Sequence, residues 1–111
     1  MNKRKRPGMK LEEYVISKFQ EVYPEARETP GSGNTLDDAD VRMPHWVIEC
    51  KDTNTKENII VTQKWIEKVR QQAYSREKEW AIVNSNKNGE KVITLDLEIF
   101  IEVLLGEYPS E

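Results

Sequence analysis

One cysteine and one histidine in 111 residues remove several kinds of chemistry at the outset. Cys50 has no partner for an internal disulfide, and with one histidine the chain cannot assemble a structural Cys/His zinc finger. His45 follows Pro44 in a stretch that reads as a turn, so a histidine-based active site is not expected. No apolar run approaches the roughly 20 residues of a membrane-spanning helix. The charged start lacks a following hydrophobic region of the secretory type, which predicts a cytoplasmic protein. Internal repeats and low-complexity segments are also missing.

What is there suits one domain. The chain is 37% hydrophobic and 33% charged, polar yet rich enough in Trp, Ile and Val for a single core. Its net charge of -3 hides an asymmetry: Lys3, Arg4, Lys5, Arg6 and Lys10 give the first ten residues +5, while the rest carry 12 basic and 20 acidic groups, or -8. A basic, flexible tail over 1–8, a single domain over 9–106 and a short C-terminal tail over 107–111 follow from this pattern. Such a tail can reach phosphates while the acidic body holds carboxylates for a metal.

Apolar residues Leu11, Val15, Ile16, Phe19, Val22 and Tyr23 recur at helical spacing and predict a helix over 9–23. Pro24, Pro30, Gly31 and Gly33 mark a loop after it. A short strand over 38–42, a turn at Pro44-His45 and a second strand over 46–51 are expected next. In the second strand Trp46, Ile48 and Cys50 share one face, expected to be the buried one, and Val47, Glu49 and Lys51 share the other. Residues 53–58 read as a polar loop, and Thr62 as the cap of a helix to about Glu77 with Trp65, Ile66, Val69 and Ala73 on its apolar stripe. A strand over 80–84, an Asn88-Gly89 turn and a strand over 91–95 form a hairpin. Asp96 then caps a last helix whose Leu97, Phe100, Ile101, Leu104 and Leu105 are expected to face inward until Gly106 ends it. The fold class is α/β, a small central mixed sheet flanked by helices.

Asp40, Glu49 and Lys51 carry the chemical reading. Carboxylates on adjacent strands can share a hard divalent cation, Mg2+ or Mn2+, which prefers oxygen ligands. Lys51, two residues beyond Glu49 on the same strand face, can orient or deprotonate an attacking water. These parts suit phosphodiester hydrolysis.

The stretch "ETPGSGNTLDDADVRMPHWVIECKDTNTKENIIVTQKWIEKVRQQA" resembles the core of the PD-(D/E)XK nuclease superfamily, and within it the archaeal-type Holliday junction resolvases and their small phage relatives. The shared features are a helix with an early acid (Glu12), the Gly31-Ser32-Gly33 loop, Asp40-Val41, the strand ending Glu49-Cys50-Lys51, and a helix with Trp65 near its start. They span roughly residues 10 to 84. The resemblance implies a restriction-endonuclease-like core and a Mg2+-dependent endonuclease that cuts branched DNA, most directly a four-way junction, as a homodimer. A phage-encoded member would work in the host cytoplasm.

Carried over residue by residue, the resemblance makes Asp40 and Glu49 metal ligands, Lys51 the residue that assists the water, and Glu12 the helix-borne acid and a third metal ligand, with Glu13 as its rival. Asp38, of the same strand parity as Asp40, competes for the metal. Ser32 would contact a phosphate beside backbone N–H groups that glycine exposes. Arg27, Lys56, Lys64, Lys68 and Arg70 are candidate phosphate contacts, and Gln63 stands where some relatives place a polar site residue. This chain departs from the pattern in its short Asp-to-Glu spacing and in Ala39, which replaces the proline expected before the key aspartate. Two other functions fit the same residues: a nuclease of other branched or nicked DNA, and a non-catalytic nucleic-acid-binding module.

Overall fold

A computed structural model describes residues 10–29, 40–53 and 55–110. Helix α1 (Leu11–Phe19) starts without a side-chain acceptor at Lys10; instead the Glu13 carboxylate accepts the Lys10 backbone N–H at 3.4 Å. It stops four residues earlier than the periodicity predicts: past Phe19 the Glu21 and Val22 N–H groups bond three residues back, and a turn from Tyr23 to Ala26 around Pro24 leads into a two-residue strand, β1 (Arg27–Glu28). That edge strand is too short to leave a period-2 signal, and no expectation covered it. β1 pairs antiparallel with β2 (Val41–Met43), Arg27 opposite Arg42.

Pro44 and His45 then reverse the chain in two residues. Proline fixes φ near about -65°, and His45 follows at φ +71°, the combination of a type II turn. β3 (Trp46–Asp52) folds back on β2 with Met43 opposite Trp46 and Val41 opposite Ile48. The tight hairpin expected from the short spacing is present.

Thr62 caps α2 (Gln63–Tyr74) by accepting the Trp65 N–H at 3.1 Å. The helix ends three residues short of Glu77, which sits at φ +59° and breaks the helical turn. The chain then enters β4 (Glu79–Ser85), parallel to β3, and β5 (Lys91–Leu95), antiparallel to β4 across Asn88-Gly89. The five strands form one mixed sheet in the order β1-β2-β3-β4-β5. Buried Asn86 closes this end: its amide donates to the Glu57 carbonyl and the Glu90 carboxylate, and its oxygen accepts from the Asn88 and Glu90 N–H groups.

A parallel pair needs a crossover, and α2 supplies it, so the sheet is covered on both faces. Leu11 and Val15 of α1 pack with Val41, Met43, Ile48, Ala81 and Val83 on one side. Val69 and Ala73 of α2 pack with Val47, Trp80 and Ile82 on the other. This corrects the expectation that β3 buries only its Trp46 side. Val47 is fully covered, and Glu49 and Lys51 lie beside a second core.

The last helix is the larger correction. Asp96 accepts the Ile99 N–H at 3.1 Å and starts α3 (Leu97–Leu104) where expected, yet no α3 residue is buried. Leu97, Phe100, Ile101, Leu104 and Leu105 face solvent, and the inward side carries Ile99 and Glu102. Periodicity locates an apolar stripe but not what lies against it. Past α3, Tyr108 returns to the sheet, donating its hydroxyl to the His45 carbonyl at 2.8 Å and meeting Trp46 edge-on. Among the described residues, no helix is long and apolar enough to cross a membrane.

Candidate functional site

The α2 face of β3 carries Val47, Glu49 and Lys51 in turn. Val47 lies under Val69 and Ala73, and further along the strand α2 offers Trp65 and Lys68 instead. A small pocket there is lined by Glu49, Lys51, Trp65, Lys68 and Val69. β2 brings the aspartate. Val41 pairs with Ile48, so Asp40, one residue earlier, stands opposite Glu49 on the same face. One Asp40 oxygen accepts the Cys50 N–H at 2.9 Å, which fixes the carboxylate against β3.

Lys51 Nζ lies 3.2 Å from a Glu49 oxygen, with side-chain exposures of only 30% and 18%. The same ammonium sits over the Trp65 ring, 4.7 Å from its centre. Burial pushes the Glu49 carboxyl above its ordinary value, and the nearby Asp40 charge adds to the rise, while Lys51 and Lys68 work against both. Burial also pushes the Cys50 thiol up, reinforced by Asp40, Glu12 and Glu49, so it is no nucleophile. Glu12 therefore acts on the same region electrostatically, from α1 on the other side of the sheet. It is half-buried, whereas exposed Glu13 is engaged at the helix start.

Among the described residues, no group of three or more His, Cys, Asp or Glu side chains is placed to hold a metal ion. Asp40 and Glu49 form a pair without Glu12 as a third ligand. Such a pair fits Mg2+, which is commonly held by one or two carboxylates and completes its shell with water and substrate phosphate. The closeness and burial that raise Glu49 would be relieved by a dication between the two groups.

Of the other expected site residues, Ser32 and the rival ligand Asp38 lie outside the described residues. Lys56, Gln63 and Lys64 are exposed, and none lines the Glu49 pocket; Gln63 instead reaches Glu67 at 3.5 Å. One helical turn beyond Lys64, Lys68 is the α2 lysine that lines the pocket.

Two features had no counterpart in the sequence reading. Asn84 neighbours Lys51 across the parallel register, is fully buried, and has no hydrogen-bond partner for either carboxamide atom among the described residues. Its signal was a polar residue closing the apolar run Trp80–Val83. The second is a basic cluster. Burial draws Lys78 below its ordinary value, helped by Arg42, Arg76 and Arg27, so four cations gather beside the β1–β2 edge. Arg42 is two residues from Asp40 on the same strand face, so the cluster adjoins the carboxylates. Only Arg27 of the four was expected to meet phosphate.

Compared with protein-family models, with curated proteins and with solved structures, the chain matches none.

Proposed function

We propose that the protein is a divalent-cation-dependent DNA endonuclease with a restriction-endonuclease-like core, cutting branched DNA in the manner of a Holliday junction resolvase. The observation that carries this reading is the pairing that sets Asp40 opposite Glu49 with Lys51 Nζ 3.2 Å from the Glu49 carboxylate. Asp40 and Glu49 would hold Mg2+, or Mn2+ in its place, and the bound cation would offset charge gathering on the phosphate oxygens. Glu49 and the Trp65 ring hold Lys51 in position to orient a water for attack on phosphorus and to receive or return its proton. Asn84, fully buried beside Lys51 on the same face of the sheet, backs this pair from within and does not line the pocket itself. Arg27, Arg42, Arg76 and Lys78 supply phosphate contacts along the neighbouring edge and set the path of the strand.

The test is cleavage of an end-labelled four-way junction, beside linear duplex and flap substrates, with Mg2+ and with chelator. Paired, symmetric, Mg2+-dependent nicks are expected in the junction, and Lys51→Ala should lower the rate by about 100-fold or more while junction binding persists. Unpaired cuts in flaps or nicked duplex would move the assignment to a nuclease of other branched DNA. Tight binding without cleavage by the unaltered protein would leave a nucleic-acid-binding module.

A further inference from the structure

We propose that the outward face of α3 is the surface through which two copies of this chain associate. Leu97, Phe100, Ile101, Leu104 and Leu105 recur at steps of three and four residues and form one continuous stripe, each between 43% and 71% exposed. Ile93 of the neighbouring edge strand β5, on the sheet face that α3 borders, extends it. Together these side chains leave on the order of 700 Å2 open, within the range of one partner's share of a specific interface and above the usual largest apolar patch of a monomer. Beside the helix, toward the end of α1, opens a hollow of about 230 Å3 bordered by Tyr23, Trp46, Ile93, Val103 and, at the edge of the stripe, Phe100. Each copy thus offers a ridge of leucines and a hollow beside it, the self-complementary relief that a two-fold pairing requires.

Other occupants fit less well. Within the chain, residues 1–9 carry four basic groups and residues 30–39 two acidic ones, so neither segment can cover the stripe with apolar side chains. Exposed Glu98 and Glu107 flank and follow the stripe. Helices that lie on lipid surfaces carry Lys and Arg in those positions, and anionic headgroups would repel these acids. The assignment does not depend on the chemistry at Glu49.

Sedimentation velocity of the full chain at micromolar concentration tests it. The expected species has twice the 13.0 kDa chain mass. Leu104→Glu should raise the dissociation constant at least about 100-fold without changing the far-ultraviolet circular dichroism, since Leu104 is two-thirds exposed and belongs to neither buried core. Leu97→Glu, at the other end of the stripe, repeats the test should the first variant fail to fold. Lys51→Ala should dimerise like the unaltered chain, which separates this proposal from the nuclease reading. A monomer throughout would overturn it, and a monomer that co-sediments with phosphatidylcholine vesicles would assign the stripe to lipid. A dimer that both glutamate variants leave intact would also overturn it.

Discussion

Two regions of this molecule break the rule that apolar groups go inside and charges outside, and they break it in opposite directions. Beneath α2, Glu49 and Lys51 are withdrawn from water beside a packed core, and Asn84 is buried with no partner for its amide among the described residues. Along α3, a complete apolar stripe stands in solvent. Desolvated charge costs free energy unless something binds it, and exposed apolar surface gains free energy when something covers it. The proposed cation at the first region and the proposed second copy at the second would each remove the corresponding cost. Both sit on one sheet, whose buried cores are packed by α1 on one face and α2 on the other.

Truncating one apolar side chain in each region should separate them most sharply. Ile82 is fully buried between β4 and α2, so Ile82→Ala should cost about 2–5 kcal/mol in urea unfolding, combining lost transfer free energy with a cavity. Leu104→Ala, measured dilute enough to keep the chain monomeric, should change stability by no more than about 0.5 kcal/mol. Equal losses would show that α3 packs into the core after all, and the comparison would fail.

The sequence exposed these two regions unequally. Seven of the eight elements were legible because each has a period, a cap or a breaker: Thr62 and Asp96 cap helices, and Pro44-His45 and Asn88-Gly89 turn hairpins. The two-residue β1 has none of these. The pairing of Glu49 with Lys51 was readable because strand parity alone places them together, and Asp40 joins them through the short hairpin. The clustering of Arg42, Arg76 and Lys78 was not, since it depends on α2 ending beside β2, a contact between elements far apart in the chain. For α3 the pattern was legible and its direction was not. A helical stripe looks the same whether it meets the chain's own sheet or another molecule.

The basic cluster offers a test of intermediate size. Arg27 is exposed on an edge strand, so Arg27→Gln should leave the fold intact. If Arg27 meets one phosphate, the slope of log affinity for a DNA junction against log salt should become shallower by about 0.9. Lys87→Gln, exposed beyond the end of β4, should leave the slope unchanged. Equal slopes for both variants and the unaltered protein would remove the β1–β2 edge from the binding path.

The smallest effect probes the charged region without DNA. Burial and Asp40 raise the Glu49 carboxyl above its ordinary value, so the folded protein holds that proton more tightly than the unfolded chain does. Stability is then greatest while the group is protonated in both states. It falls as pH rises from the ordinary carboxylate range through the raised value, and the loss persists above it. Glu49→Gln removes that loss while leaving an oxygen that can accept from Lys51, which also keeps the Trp65 ring. In chelator near pH 7 the variant should therefore melt above the unaltered protein, and below about pH 4, where carboxylates protonate, the two should converge. Mg2+ should raise the melting temperature of the unaltered protein and have little effect on the variant, because a cation stabilises only the form that binds it. A variant less stable than the parent in chelator would mean that the Lys51 ion pair outweighs desolvation. The region beneath α2 would then be a structural salt bridge, not a site held ready for a cation.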